Sequence, residues 1–164
     1  MLKETLLEIY ERDLLQLQKE IESYEDESQI WMVKDGISNS AGNLCLHLCG
    51  NLKHFIGATL GHTGYVRNRD AEFELKDIPR HALIADIEST IEAVNKSLTN
   101  LSELDFFKKF PLEKHGRVVT TDFMLLHLLG HLSYHIGQIN YHRRLVSNKE
   151  TGSWKLEPVH YESK

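Results

Sequence analysis

The chain has 164 residues, of which 41% are hydrophobic and 26% charged, enough for one domain with a substantial core and the composition of an ordinary soluble globular protein. A formal net charge of −5 argues against a general nucleic-acid binder, which would carry a basic patch, and no stretch approaches an uninterrupted apolar membrane span. The opening MLKETLLEIYERDLL is amphipathic and acidic and lacks the apolar segment of a secretory signal, so a cytoplasmic protein is expected, with neither nucleic acid nor membrane among its partners.

Residues 2–24 read as a first helix, with Leu2, Leu6, Ile9, Leu14, Leu17 and Ile21 at helical spacing and Glu and Lys between them. The segment 25–39 breaks the pattern, with Asp35-Gly36 as a turn signal and Trp31 expected to plug one end of the core. A second helix is predicted from about 40 to 60, with Asn39 or Ser40 as its N-cap. It is mostly apolar but carries a polar seam of Asn43, His47, Asn51 and His54. Cys45 and Cys49 point about 160° away from His47. They form neither a CxxC motif nor a disulfide framework, and small buried hydrophobes is the favoured reading for both.

Residues 61–79 form a long connection holding Arg67 and Arg69, which either ion-pair locally or clamp an anionic substrate. A third helix is expected at about 80–101, with Asp77 as cap and Pro79 in its first turn. Its apolar stripe (Leu83, Ile84, Ile87, Ile91, Val94, Leu98, Leu101) carries no chemistry. The span 102–119 is a second connection, in which Phe110, Leu112, Val118 and Val119 around Lys114-His115-Gly116 suit a short hairpin or lid.

Thr120 or Thr121 then caps a last helix over 120–146. At about 100° per residue, His127, His131, His135 and His142 fall within roughly 40° of His131, with Met124 and Gln138 in the same stripe. The residues around them are largely apolar, so the histidines form a narrow seam on a buried helix rather than a solvated face. Imidazoles four apart are neighbours on one helix face and can share a divalent ion. Three successive members of the seam span about 12 Å of helix rise. One ion should therefore take an adjacent pair from 127/131/135, with a third ligand from another helix. On the second helix His47 and His54 are about 10.5 Å apart along the axis, so only one of them should bind directly. The tail 147–164 looks irregular and is expected to pack back through Trp154 and Val159. Four long amphipathic helices with unequal connections make an all-α, four-helix bundle the natural architecture, in a single domain spanning 1–164.

The segment Asn43-Leu-Cys-Leu-His47-Leu48, followed much later by His131-Leu-Ser-Tyr-His135-Ile-Gly-Gln138, resembles the DinB/YfiT-like superfamily of metal-dependent enzymes, over essentially the whole chain. The resemblance implies a four-helix bundle, frequently homodimeric, with a divalent metal, commonly nickel or zinc, held by His47, His131 and His135. It leaves His127, His54 and His142 beside the ligand set or outside it; on chemical grounds Gln138 or His127 suits orienting a ligand or the bound solvent, and Arg67 and Arg69 suit holding carboxylates of a substrate. It also implies an enzyme that transfers a low-molecular-weight thiol of the bacillithiol, mycothiol or glutathione type onto a small electrophile. A metal-dependent hydrolase and a non-enzymatic metal-binding stress-response protein are the alternatives. The metalloprotease pattern His-Glu-x-x-His is absent, because Leu132, Ser133 and Tyr134 fill the gap between His131 and His135.

Overall fold

A computed structural model describes residues 2–114 and 116–147. The chain is all-α, with no strand among the described residues. The long helices are α1 (Leu2–Glu22), α2 (Ala41–Leu52), α4 (Arg80–Thr99) and α5 (Thr121–Val146), and a short α3 (Arg69–Glu74) lies in the connection between α2 and α4. Helix α1 packs beside α4 and α5, and α2 packs beside α3, α4 and α5. That pairing brings the seams of α2 and α5 face to face.

Helix α1 buries Leu6, Tyr10, Leu14, Leu17 and Ile21. Tyr10, rather than Ile9, completes the stripe. Its ring lies wholly in the core, where its hydroxyl donates to the carbonyl of Leu125 at 2.6 Å, so the polar tip is satisfied while the ring contributes apolar area. Buried polar contacts pin α5 against α1. Glu20, 2% exposed, accepts from Arg143 Nε at 2.8 Å and Asn140 Nδ2 at 2.9 Å, and Asp13 accepts from Ser133 Oγ at 2.7 Å. These bonds sit on the side of α5 facing α1 and fix which face α5 turns toward α2.

The ends of the elements follow local chemistry. Ser40 caps α2 by accepting from the backbone N–H of Asn43 at 3.1 Å. The helix then widens into a π turn over Lys53–Ala58 where a continuous α-helix was expected. Trp31 ends a 3₁₀ turn, Glu27–Trp31, started by an Asp26/Gln29 capping box. Its ring lies against Gly42, where an added Cβ would come within 2.6 Å of ring carbons, and its Nε1 donates to the carbonyl of Ile78 at 3.3 Å. Helix α4 starts at Arg80, as expected, but with Pro79 at the cap position rather than in the first turn. Asp77 does not cap it and instead adopts a left-handed φ of 57°. Pro79 fixes its own φ at −57°, and its carbonyl accepts from Ala82 and Leu83. Cys45 and Cys49 are both fully buried and unpaired as a disulfide. The 102–119 connection contains a 3₁₀ turn, Glu103–Phe107, then two isolated antiparallel bridges, Lys109 with Thr120 and Lys114 with Arg117. The expected packing of Trp154 and Val159 lies outside the described residues. No described helix is long and apolar enough to cross a membrane.

Candidate metal centre

Where α2 meets α5, three imidazoles converge. His47 Nε2 lies 3.2 Å from His131 Nε2, and His135 Nε2 lies 3.1 Å from the same atom. One ring nitrogen from each of the three lies within 4.8 Å of the others. His131 and His135 are one turn apart on α5, with ring centroids 4.5 Å apart. His47 meets both edge-on from across the bundle.

The far side of each ring shows which nitrogen is free. His47 Nδ1 is 2.9 Å from Glu72 Oε2. A carboxylate can only accept, so the proton is on Nδ1 and the Nε2 lone pair points into the cluster. His135 Nδ1 donates to Gln138 Oε1 at 2.6 Å, with the same result, and Gln138 Nε2 in turn donates to the Tyr134 hydroxyl at 3.2 Å. His131 Nδ1 is buried with no hydrogen-bond partner. The Nε2 lone pairs of His47 and His135 therefore both point at His131 Nε2, an arrangement that is satisfied by a proton on His131 Nε2 or by one cation among the three nitrogens. Four ligands held tetrahedrally at 2.0–2.1 Å would put neighbouring nitrogens about 3.3–3.4 Å apart, close to the 3.1 and 3.2 Å found here. Imidazole nitrogen suits zinc, nickel, copper and iron. The three histidines can thus hold a divalent ion.

Electrostatics agree with the geometry. Burial pushes His131 down to about 4, helped by the neighbouring His135 and His47 rings, and burial also lowers His135 although its bond to Gln138 works the other way. Both rings are therefore neutral donors near pH 7. Burial alone would raise the Glu72 carboxyl, but its bonds to Arg67 and His47 prevail and hold it below its usual value.

Glu72 belongs to the charged group of the 61–79 connection for which local ion pairing is expected, but the sequence does not pair it with His47. It sits on α3, which Asn68 starts by accepting from the N–H of Ala71 at 3.2 Å, and it is 5% exposed. Arg67 grips it with both ends of its guanidinium, Nε to Oε1 at 2.6 Å and Nη2 to Oε2 at 2.8 Å, a bidentate fork. Glu72 lies so close to α2 that a Cβ on Gly50 would fall 2.2 Å from its Oε1. Asn43 anchors the same segment through its amide, which donates to the carbonyls of Glu72 and Leu75 at 3.1 and 2.9 Å. The one signal in the sequence was Gly50 itself, a glycine inside an apolar helix, which marks close approach of another element.

The other candidate residues sit around this cluster or away from it. Arg67 is occupied by Glu72, which makes it a fixed part of the His47 support; the local ion-pair reading describes its place. Arg69 is exposed, its guanidinium 5.3 Å above the ring of Phe73, and that ring lies 5.0 Å from His47. His127 is exposed one turn before His131 and, when protonated, opposes protonation of His131. His54 lies in the π turn against Phe55, 4.7 Å between rings, and its basicity is lowered by burial and by Arg67. His142 shares the α5 seam but joins another environment: Nε2 donates to the carbonyl of Met32 at 2.9 Å and Nδ1 accepts from the Tyr24 hydroxyl at 2.7 Å. A cleft of about 810 Å³ opens beside the cluster, lined by His135 and Gln138 and walled by Leu44, Tyr134, Tyr141 and Leu145.

No curated protein and no solved structure matches the chain. A family profile does, over residues 4–158, and the chain belongs to that family, described as Protein of unknown function (DUF1572).

Proposed function

We propose that this protein is a metal-dependent enzyme of the DinB/YfiT-like type, which transfers a low-molecular-weight thiol onto a small electrophile. The observation that carries the reading is the convergence of three Nε2 atoms at 3.1 and 3.2 Å, with the Nδ1 atoms of His47 and His135 tied to Glu72 and Gln138. His47, His131 and His135 would hold the ion. Zinc or nickel, the metals the family resemblance implies, both suit an all-imidazole set. Such an ion, when bound, supplies Lewis acidity that brings a thiol or water to its ionised form near neutral pH.

The chain's own residues do the rest. Glu72 keeps the proton of His47 on Nδ1, and Arg67 keeps Glu72 charged and in place. Gln138 holds His135 in the matching tautomer. The cleft beside His135 accepts the electrophile, with Tyr134, Tyr141 and Leu44 giving it apolar walls that exclude water from the reacting atoms. Arg69, exposed beside Phe73, is a basic group near His47 that can meet an acidic part of the thiol. The working setting of this chemistry is the cytoplasm, where such thiols are held reduced.

Elemental analysis of untagged protein tests the centre: about one divalent ion per chain is expected, lost in both His47→Ala and His131→Ala. The loaded protein should then consume a biological thiol together with an epoxide or alkyl halide. Product formed equally well without thiol would make it a hydrolase, and a loaded protein that consumes no thiol with any reactive electrophile would overturn the transfer reading.

A further inference from the structure

The two flanks of the histidine cluster differ in charge. Arg67 and Arg69 stand at the His47 flank, one in its fork with Glu72 and the other over the Phe73 ring. The cleft beside His135 has neither. Among the described residues no lysine or arginine lines it, and its one carboxylate is Asp35. Arg143, on the helix that supplies the cleft's tyrosines, is held by Glu20 at 2.8 Å, and Arg144 is not part of the wall.

Asp35 reaches the cleft through a turn that the sequence announces and the metal centre does not use. The Ile37 N–H donates to the Lys34 carbonyl at 3.0 Å, with Gly36 at a φ of 82° between them. A left-handed residue at that place in a turn is the role glycine fills without strain. The cleft lies between this loop, with Asp35, Ser38 and Asn39, and the α5 wall, with Tyr134 and Tyr141. The two tyrosines are seven residues, about two turns, apart on one face, and they are 63 and 68% exposed. Gln138 lies between them with its amide committed at both ends, Oε1 to His135 and Nε2 to the Tyr134 hydroxyl. His142 likewise has both nitrogens engaged.

What the cleft offers a ligand is therefore two aromatic faces, an acceptor-only carboxylate and apolar surface from Leu44 and Leu145. Ring faces are negative at their centres, and a cation whose charge is spread over carbon groups sheds water easily enough to rest on them. An anion would meet the same ring faces and the same carboxylate, with no lysine or arginine to offset them. We propose that this cleft binds a small organic ammonium, its cation between Asp35 and the Tyr134 and Tyr141 rings and its apolar body along Leu44 and Leu145. At about 810 Å³ the space suits a compound larger than a bare amine.

The binding stands on the cleft alone. Its meaning for the chemistry rests on the functional reading above: the ammonium would belong to the electrophile, which enters beside His135, while the acidic end of the thiol is drawn to Arg69 at the other flank.

An NMR shift titration of the full, metal-free chain without thiol tests the proposal, so that its failure is separate from any failure of the metal centre or of thiol transfer. The probes are choline, its neutral isostere with a tert-butyl group in place of the trimethylammonium, and the carboxylate of the same tert-butyl skeleton. Choline should move resonances of residues 35–39 and 134–145 and bind at least about 10-fold more tightly than the neutral isostere, with the carboxylate weakest. Asp35→Asn should reduce that preference in a salt-dependent way, and Tyr141→Leu should remove most of the rest. Both side chains are exposed, so thermal midpoints should hold, and a variant that misfolds would show itself there. Equal or tighter binding of the neutral isostere, a preference for the carboxylate, or no binding of choline overturns the proposal. So does a choline preference untouched by either variant, which would assign it to the chain's net negative charge. Choline binding in a protein that consumes no thiol would leave the cleft's ligand class standing and remove only the transfer reading.

Discussion

His135 and His142 lie on one helix, about two turns apart on the same stripe, and their surroundings give them opposite roles. His142 is 3% exposed with both nitrogens engaged, one by the Met32 carbonyl and one by the Tyr24 hydroxyl. His135 has one nitrogen engaged by Gln138 and the other facing His131 at 3.1 Å. The helix face does not separate them; the element opposite does. The end of α1 and the segment after the 3₁₀ turn saturate His142, whereas α2 presents another imidazole to the His131/His135 pair. A histidine stripe thus divides into ligand candidates and a core residue by the partners that other segments bring.

The division can be broken at either end. His131→Ala should have the largest effect: bound metal falls from about one per chain to less than about a tenth, read by elemental analysis, with the fold intact by circular dichroism. Next, Glu72→Gln keeps the shape but weakens the acceptor for the His47 Nδ1 proton, and metal affinity should fall about 10–100-fold in a chelator competition. At the other end, His142→Ala should leave metal stoichiometry unchanged and lower stability by about 2–4 kcal/mol, because it opens a cavity and strands a buried hydroxyl and carbonyl; urea unfolding reads this directly.

The smallest effect sharpens the comparison through pH. His131 is pushed down to about 4, below its unfolded value of about 6.5. Between those two values the unfolded chain binds more protons than the folded one, so metal-free protein should lose stability as pH falls from about 6.5 to 4. Above that window the contribution is constant. The ring is only partly buried and solvent screens it, so the slope is shallow, and His131→Gln should flatten it in thermal melts across that range.

The bundle was legible because long amphipathic stretches carry their own signal. The apolar spacing of residues 2–21 and 83–98 puts helices where the structure has α1 and α4. The misses were local. Asp77 has the right composition for a cap, but Pro79 fixes the entry of α4 and leaves Asp77 in a left-handed turn. The π turn over Lys53–Ala58 leaves no mark in the apolar pattern. Histidine spacing left open which α5 pair would close with α2, because spacing says nothing of how two helices slide past each other. Glu72 was hidden for a similar reason: its helix is only 6 residues long, too short for periodicity, and its role depends on a fork from Arg67 and a gap at Gly50.

The contact between His47 and His131 joins positions 84 residues apart. An ion held by both would tie the two positions together in the folded chain, and its effect falls on the folded state, because unfolding releases it. Resistance to urea should then rise with free metal in the way ligand linkage requires, so that an ion at this site would act on the folding equilibrium as well as on any chemistry.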